Sequence, residues 1–244
     1  MQAHAEETQS QTNGTDLGDV IPRMLQGFRF SLCDTPEMVA KALEIRRQVY
    51  VQGVGYSIPV PDQYDVRSWF LLAEDVETGE PVGCMRITPR FAGPFEAEEY
   101  FTLPKHLESS SAVELNRFAI LPAYRKGKTF LPVVSLGLFK AAMVFMKRFG
   151  ASYLVAASKP EKAYTYAWLG FEETGLSAPY GKLDYSEHLL MAHPYHQVEK
   201  QFEGHPFADF FCSLNYSEVV IPKRIPVLGL GTEEYAATLR QKSA

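Results

Sequence analysis

Cysteine is scarce. The 244 residues hold only Cys33, Cys84 and Cys212, odd in number, far apart and never spaced C-x-x-C. That excludes a disulfide framework and a zinc ribbon, and a reducing cytoplasm is the expected setting. Long apolar runs are also missing. The longest, Phe130 to Met146, is interrupted by Lys140 and falls short of the roughly 20 residues that a bilayer needs. It reads as a core helix, and no transmembrane segment is expected. The first twenty residues are polar and lack the positive start and apolar core of a signal peptide. Residues 1–24 read as a mobile tail, 25–244 as one domain, with an extension from about 193. His188, His193, His196 and His205 fit no standard metal spacing, so no metal is expected. Ser158 and Cys84 have no recognisable histidine partner, which argues against a covalent nucleophile. No internal repeat is present.

Acid is missing from one long stretch. Between Leu115 and Pro160 there is no Asp or Glu, while Arg117, Arg125, Lys126, Lys128, Lys140, Lys147, Arg148 and Lys159 fall inside it. Taking those eight from the 24 Lys and Arg leaves sixteen against all 29 Asp and Glu. A basic block in an acidic chain suits an anionic partner; an ordinary solvated helix face is the other reading. A net charge of −5 and a pI near 5.7 argue against nucleic acid. Coenzyme A phosphates, or the acidic surface of an acyl carrier protein, fit a local patch over 117–148 better.

What is present is a regular succession of elements. Phe28, Phe30 and Leu32 alternate as a half-buried strand. Thr35 can cap a helix with Pro36 at its first position, and Met38, Ala42, Ile45 and Val49 form its apolar stripe. A loop rich in Gly and Pro follows, carrying Asp62 and Asp65. Trp69–Val76 and Val82–Thr88 flank the turn Glu77-Thr78-Gly79-Glu80 as a hairpin. After an acidic connection (Glu96, Glu98, Glu99), a strand runs through Glu114 to Ile120. Next come a basic, glycine-bearing turn and a helix, capped by Thr129 with Pro132 in its first turn, that Gly150 ends. A strand near 152–158, a short helix from Pro160 and strands near 188–192 and 217–221 complete the order. It implies an α/β (α+β) fold: a mixed, mostly antiparallel twisted sheet flanked by helices. The helix N-terminus after the basic turn offers free N–H groups to a phosphate.

Two segments carry a resemblance. Tyr124-Arg125-Lys126-Gly127-Lys128 stands like the pyrophosphate loop of the GNAT acyltransferases, with one glycine where that family usually has two. Ala163-x-x-Tyr166-x-x-x-Gly170-Phe171 resembles the same family's helix end. Together they cover about 28–192. A narrower pattern, Arg46-x-x-x-Tyr50, Asp62-Gln63-Tyr64-Asp65, Arg86 and Glu114-x-x-Arg117-Phe118, is similar to the acyl-homoserine-lactone synthases and their relatives, the N-acyl amino acid synthases. The loop 53–61 has Tyr56 but no tryptophan, and the chain after Ala192 is long; both lean toward the N-acyl amino acid synthases.

The resemblance implies transfer of a long-chain acyl group from a thioester, on carrier protein or coenzyme A, to the amine of an amino acid, with no permanently bound cofactor. A lactone synthase using S-adenosylmethionine and a non-catalytic acyl- or carrier-binding module are the alternatives. Glu114 is the first candidate for the base, with a structural pairing to Arg86 or Arg117 as the other reading. A regular strand sends 114 and 117 to opposite faces, so they share a site only if the strand bulges or splays. Backbone N–H groups at Phe118, Ala119 and Ile120 would hold the oxyanion, and Tyr166 would protonate the leaving thiolate. Arg125, Lys126, Gly127 and Lys128 would take the phosphates. Arg86 and Arg117 suit the carboxylate of the amine substrate, with Arg46, Asp62 and Asp65 beside them, ordering the loop over the acyl chain. Trp69, Phe70, Phe91, Phe95, Tyr100 and Phe101 could line an acyl tunnel or belong to the core.

Overall fold

The computed structural model describes residues 23–125, 133–181, 184–205 and 207–242. Residues 1–22 of the expected 1–24 tail, the Thr129 cap and Pro132 lie outside them.

β1 (Phe28–Leu32) leads into α1 (Pro36–Arg46), where the Thr35 hydroxyl accepts from Met38 N at 3.3 Å. α1 continues as a wider π turn over Arg47–Val54. β2 (Trp69–Asp75) and β3 (Pro81–Pro89) form the hairpin, and β4 (Val113–Ile120) follows the acidic connection. Then come α2 (Val133–Phe149), β5 (Leu154–Ser158) and α3 (Ala163–Trp168). β6 (Glu172–Pro179), β7 (Glu187–His193), α4 (Val198–Gln201), α5 (Ala208–Cys212), β8 (Val219–Val220) and α6 (Thr232–Lys242) end the chain.

All eight strands join one sheet in the order β6-β7-β5-β4-β3-β2-β1-β8. Both faces of the central strands are covered, so alternate residues of β2 and β3 enter different cores. Trp69, Leu71 and Ala73 face α2, whereas Phe70 and Leu72 pack with Val39, Ala42, Leu43 and Ile45 of α1. α2 lies close to the sheet at Gly137, where a Cβ would stand 1.9 Å from the Phe30 ring. That approach admits no other residue. A third core gathers Phe95, Phe101 and Leu107 of the connection against Val155, Tyr180 and Leu190.

Three expectations change. Glu172–Pro179 is a strand that the sequence pattern did not reveal, because it runs along the sheet edge with little burial. The helix Thr232–Lys242 was likewise unanticipated. Pro160–Lys162 forms a 3₁₀ turn, and the helix proper begins at Ala163. No helix among the described residues is long and apolar enough to cross a membrane.

Candidate active site

The site grows from an irregularity between β3 and β4. Cys84 pairs with Ala119 and Arg86 with Asn116, so Met85 alone faces both Arg117 and Phe118. This is a β-bulge, and Arg117 takes the left-handed conformation it demands, φ 52. The extra residue turns Arg117 toward the side that Glu114 and Asn116 already occupy. On its other edge β4 pairs with β5 only at Val113–Leu154 and Glu114–Val155. Phe118, Ala119 and Ile120 therefore lie on a stretch of β4 that β5 has left.

Three arginines and four carboxylates meet beneath this opening. Arg86 is 0 % exposed. Its Nη1 donates to Asp62 Oδ1 (2.6 Å) and Asp65 Oδ1 (3.1 Å), its Nε to Asn116 Oδ1 (2.8 Å), and its Nη2 to Glu96. Arg46 grips Asp65 with both terminal nitrogens, Nη1 at 2.7 Å. Arg117 Nη2 donates to Glu96 Oε1 (2.5 Å) and contacts Asp62 Oδ2 (3.1 Å), and its Nε reaches the same Asp62 oxygen at 3.2 Å. Asp65 also accepts from the backbone N–H of Asp62 at 2.5 Å, closing the turn of the Asp62–Asp65 loop. Burial disfavours charge on Asp62, yet Arg86, Arg46 and Arg117 outweigh it and hold that carboxyl well below the usual carboxylate range.

Glu114 takes its hydrogen bonds from the backbone, with Arg86 near enough to act on its charge. It is 0 % exposed. Its oxygens accept from the backbone N–H groups of Glu96 (3.0 Å) and Ala97 (2.9 Å), not from an arginine. Burial, with Glu96 beside it, pushes its acid up to about 7 against the pull of Arg86 and the two N–H groups.

A recess of about 180 Å³, lined by Ile58, Pro59, Asp62, Gln63 and Arg117, adjoins the cluster. Of the five residues expected to bind the amine substrate, only Asp62 and Arg117 border it. Arg46, Asp65 and Arg86 are enclosed and committed to one another. Their guanidiniums and carboxylates order the loop and leave no face for a small molecule. Tyr50 donates to Phe118 O at 2.8 Å, and Tyr166 of α3 lies near enough for the two phenols to feel each other's charge. Burial raises the Tyr166 phenol, which keeps its proton on at neutral pH. Arg125 Nε donates to Ile120 O at 2.7 Å, at the end of β4. Lys126, Gly127 and Lys128 lie outside the described residues.

Two expectations drawn from linear patterns do not survive folding. The basic run is not one surface: Arg117 and Lys140 are buried, Arg148 donates to the carbonyls of Ile221, Pro222 and Lys223, and Lys159 pairs with Asp184 at 2.6 Å. The six aromatics do not form one tunnel either. Trp69 meets Phe91, Phe145 and Phe149 edge-on, Phe91 stacks on Phe149, Phe70 packs under α1, and Phe95, Tyr100 and Phe101 belong to the third core. Sequence reasoning also missed Glu96, which bridges Arg86 and Arg117. It sits among other glutamates in an irregular connection, and nothing in its spacing separates it from exposed Glu99.

No curated protein matches the chain in sequence. Solved structures do match in shape. The N-acyl amino acid synthase FeeM from uncultured soil microbes superposes with a TM-score of 0.59 at 17% identity, over 71% of this chain and 93% of that one. The CoA-dependent acyl-homoserine lactone synthase BjaI, solved with SAM and isopentyl-CoA, gives 0.60 at 15% identity, over 86% and 100%. TofI, in a ternary complex with an inhibitor and MTA, gives 0.53 at 20%, over 74% and 99%. These likenesses show the GNAT-like fold. The family model of the N-acyl amino acid synthase FeeM matches residues 41–193, well over half the chain. The chain belongs to the FeeM family of N-acyl amino acid synthases, and is an acyltransferase of that family.

Proposed function

We propose that this chain joins a long-chain acyl group, delivered as a thioester on carrier protein or coenzyme A, to the α-amine of a free amino acid. The observation that carries the reading is Arg117 at the bulge. Its Nε and Nη2 are held by Asp62 and Glu96, while Nη1 has no hydrogen-bond partner among the described residues and Arg117 lines the recess. A guanidinium edge offered to a small cavity suits a carboxylate. Asp62, kept ionised by its three arginines, suits the ammonium of the same zwitterion.

The amine then attacks the thioester carbonyl, forming the C–N bond. The oxyanion forms against the backbone of Phe118, Ala119 and Ile120, where β5 has left the strand. Collapse breaks the C–S bond, and the Tyr166 hydroxyl gives its proton to the departing thiolate. Glu114 touches neither partner. Its carboxylate is enclosed and both oxygens are taken, so the amine loses its proton to water in the recess. Arg125, with Lys126, Gly127 and Lys128, takes the phosphate of the donor's pantetheine arm.

The test is product analysis. Purified protein is incubated with palmitoyl-CoA or palmitoyl carrier protein and a mixture of the twenty amino acids, then extracted for mass spectrometry, beside Tyr166→Phe. N-palmitoyl amino acids that fall by about ten- to a hundredfold in the variant support the reading. An acyl lactone formed only when S-adenosylmethionine is added would replace it with the lactone synthase. Absence of thiol release with every donor and amine would replace it with a binding module.

A further inference from the structure

We infer that Glu96 is the positioning residue that aims Arg117 at the amino acid's carboxylate, and that Glu114 serves the site by anchoring Glu96. The inference rests on the amino-acid acceptor proposed above.

Glu96 lies on the 3₁₀ turn Glu96–Glu99 and is fully buried. Its two oxygens are divided. Oε1 accepts from Arg117 Nη2 at 2.5 Å, and Oε2 from Arg86 Nη2 and from Asn116 Nδ2 at 3.2 Å. One carboxylate therefore ties the enclosed arginine to the one that borders the recess. A guanidinium is planar. With Nε fixed on Asp62 and Nη2 on Glu96, Nη1 has a single direction left. The Glu96 contact is the shortest of Arg117's ties, against 3.1 and 3.2 Å to Asp62. The bulge gives Arg117 no regular neighbour on β3 that could hold it instead.

The turn has its own foundation. Its first two N–H groups have no partner within so short a turn, and the Glu114 carboxylate accepts both, one on each oxygen. The chain of contacts runs from Glu114 on β4 to the turn, from the turn to Glu96, and from Glu96 to Arg117. A carboxylate used this way needs two acceptor atoms and no proton exchange with substrate. Its complete enclosure fits that use, with both oxygens occupied by the turn.

The test compares an amino acid with the same molecule lacking its carboxylate. Alanine and ethylamine, leucine and 3-methylbutylamine, and phenylalanine and phenethylamine are offered to the full-length wild type and to Glu96→Gln with one palmitoyl thioester. The pair that the wild type turns over fastest is then measured. Glu96→Gln is expected to lower kcat/KM for the amino acid roughly ten- to a hundredfold, through KM, as for loss of a charge-assisted hydrogen bond. The amine should react as before. The ratio is taken within one preparation, so partial misfolding does not enter it. Glu96→Asp, which keeps the charge but withdraws it by one methylene, should fall between, and Glu114→Gln should shift the ratio in the same direction. Equal losses on amino acid and amine, or no loss on either, would overturn the inference alone. A wild type that does not prefer the amino acid to its amine would overturn the acceptor reading and this inference together.

Discussion

Around the bulge, three arginines and four carboxylates are buried together; beneath the C-terminal segment, Lys140 and His193 are buried with no ion-paired acid among the described residues. In the first region nearly every polar atom meets a charged partner. In the second, the Lys140 ammonium donates to the main-chain carbonyls of Phe210, Phe211 and Ser213 and sits over the Phe210 and Tyr216 rings. His193 lies between Phe171, Tyr195 and Phe202, and neither ring nitrogen has a hydrogen-bond partner among the described residues. The difference separates two uses of a buried charge. Ion clusters rarely add net stability over an apolar core of the same shape, so a cluster beside a recess is explained by what it orients. Lys140 orients nothing toward a cavity. It fastens residues 210–213 to α2, and its acceptors are backbone carbonyls that any sequence would supply.

Breaking the first region should cost most. Arg86→Met removes the guanidinium shared by Asp62, Asp65 and Glu96 and leaves three enclosed carboxylates short of a counter-charge. About 3–5 kcal/mol of unfolding free energy should be lost, as for other broken buried pairs, read from urea denaturation with an unchanged m-value. A loss below about 1 kcal/mol would mean that the cluster relaxes without Arg86, and that its charges are not interlocked as the contacts imply.

The pH profile sharpens the account of Glu114 within the same region. If water takes the amine's proton, kcat/KM for the amino acid should climb about tenfold per pH unit from 6 toward the amine's own pKa. If Glu114 were the base, its acid, pushed up to about 7, would set a bend there, with a plateau at higher pH. Rates of N-acyl product formation from pH 6 to 9 decide between the two. The same raised acidity bears on stability. A carboxyl whose folded pKa lies above its unfolded value gives stability that is fully present below about 4.5 and is lost as pH rises through about 7.

Lys140→Met asks whether the second region is a fastening only. Loss of the ammonium strands carbonyls of Phe210 and Ser213, at about 1–3 kcal/mol, and protection from hydrogen exchange should fall in 208–216 before it falls in the sheet. Acyl transfer should continue at the wild-type rate. A loss of turnover matching that of Tyr166→Phe would tie the segment to the chemistry.

These regions also differ in how far a sequence discloses them. Arg46, Asp62, Asp65, Arg86 and Arg117 stand out by their order along the chain, and folding gathers all five. The strand through Glu114 to Ile120 was legible from its apolar pattern, and the need for a bulge followed from the faces that 114 and 117 would otherwise take. The bulge itself was not, because it depends on which β3 residue faces Asn116. Glu96 was invisible for a related reason: its burial is created by a turn whose N–H groups dock on a carboxylate 18 positions away. The run of cations misled because charge along a chain does not show that Lys140 points inward. Strand β6 escaped because an exposed edge imposes no alternation of apolar residues.

The smallest effect is the one with the reverse sign. His193 is enclosed by aromatic rings, and burial lowers its pKa to about 4. It is therefore neutral at pH 7 with an N–H that has no acceptor, a state that costs about 1–3 kcal/mol. Its place is tightly shaped, since a Cβ on Gly170 would stand 2.8 Å from Nε2, so only a flat ring of similar size can replace it. His193→Phe should raise the unfolding free energy by about 1 kcal/mol at pH 7. A base whose folded pKa is depressed contributes stability that is complete above about 6.5 and is lost as pH falls toward about 4. The gain from His193→Phe should therefore widen as pH falls from 7 to 5, and denaturant melts at the two values measure it directly. A destabilised variant, or a gain independent of pH, would mean that a ring nitrogen of His193 has a partner after all, and the contrast with the ion-paired arginines would narrow to Lys140 alone.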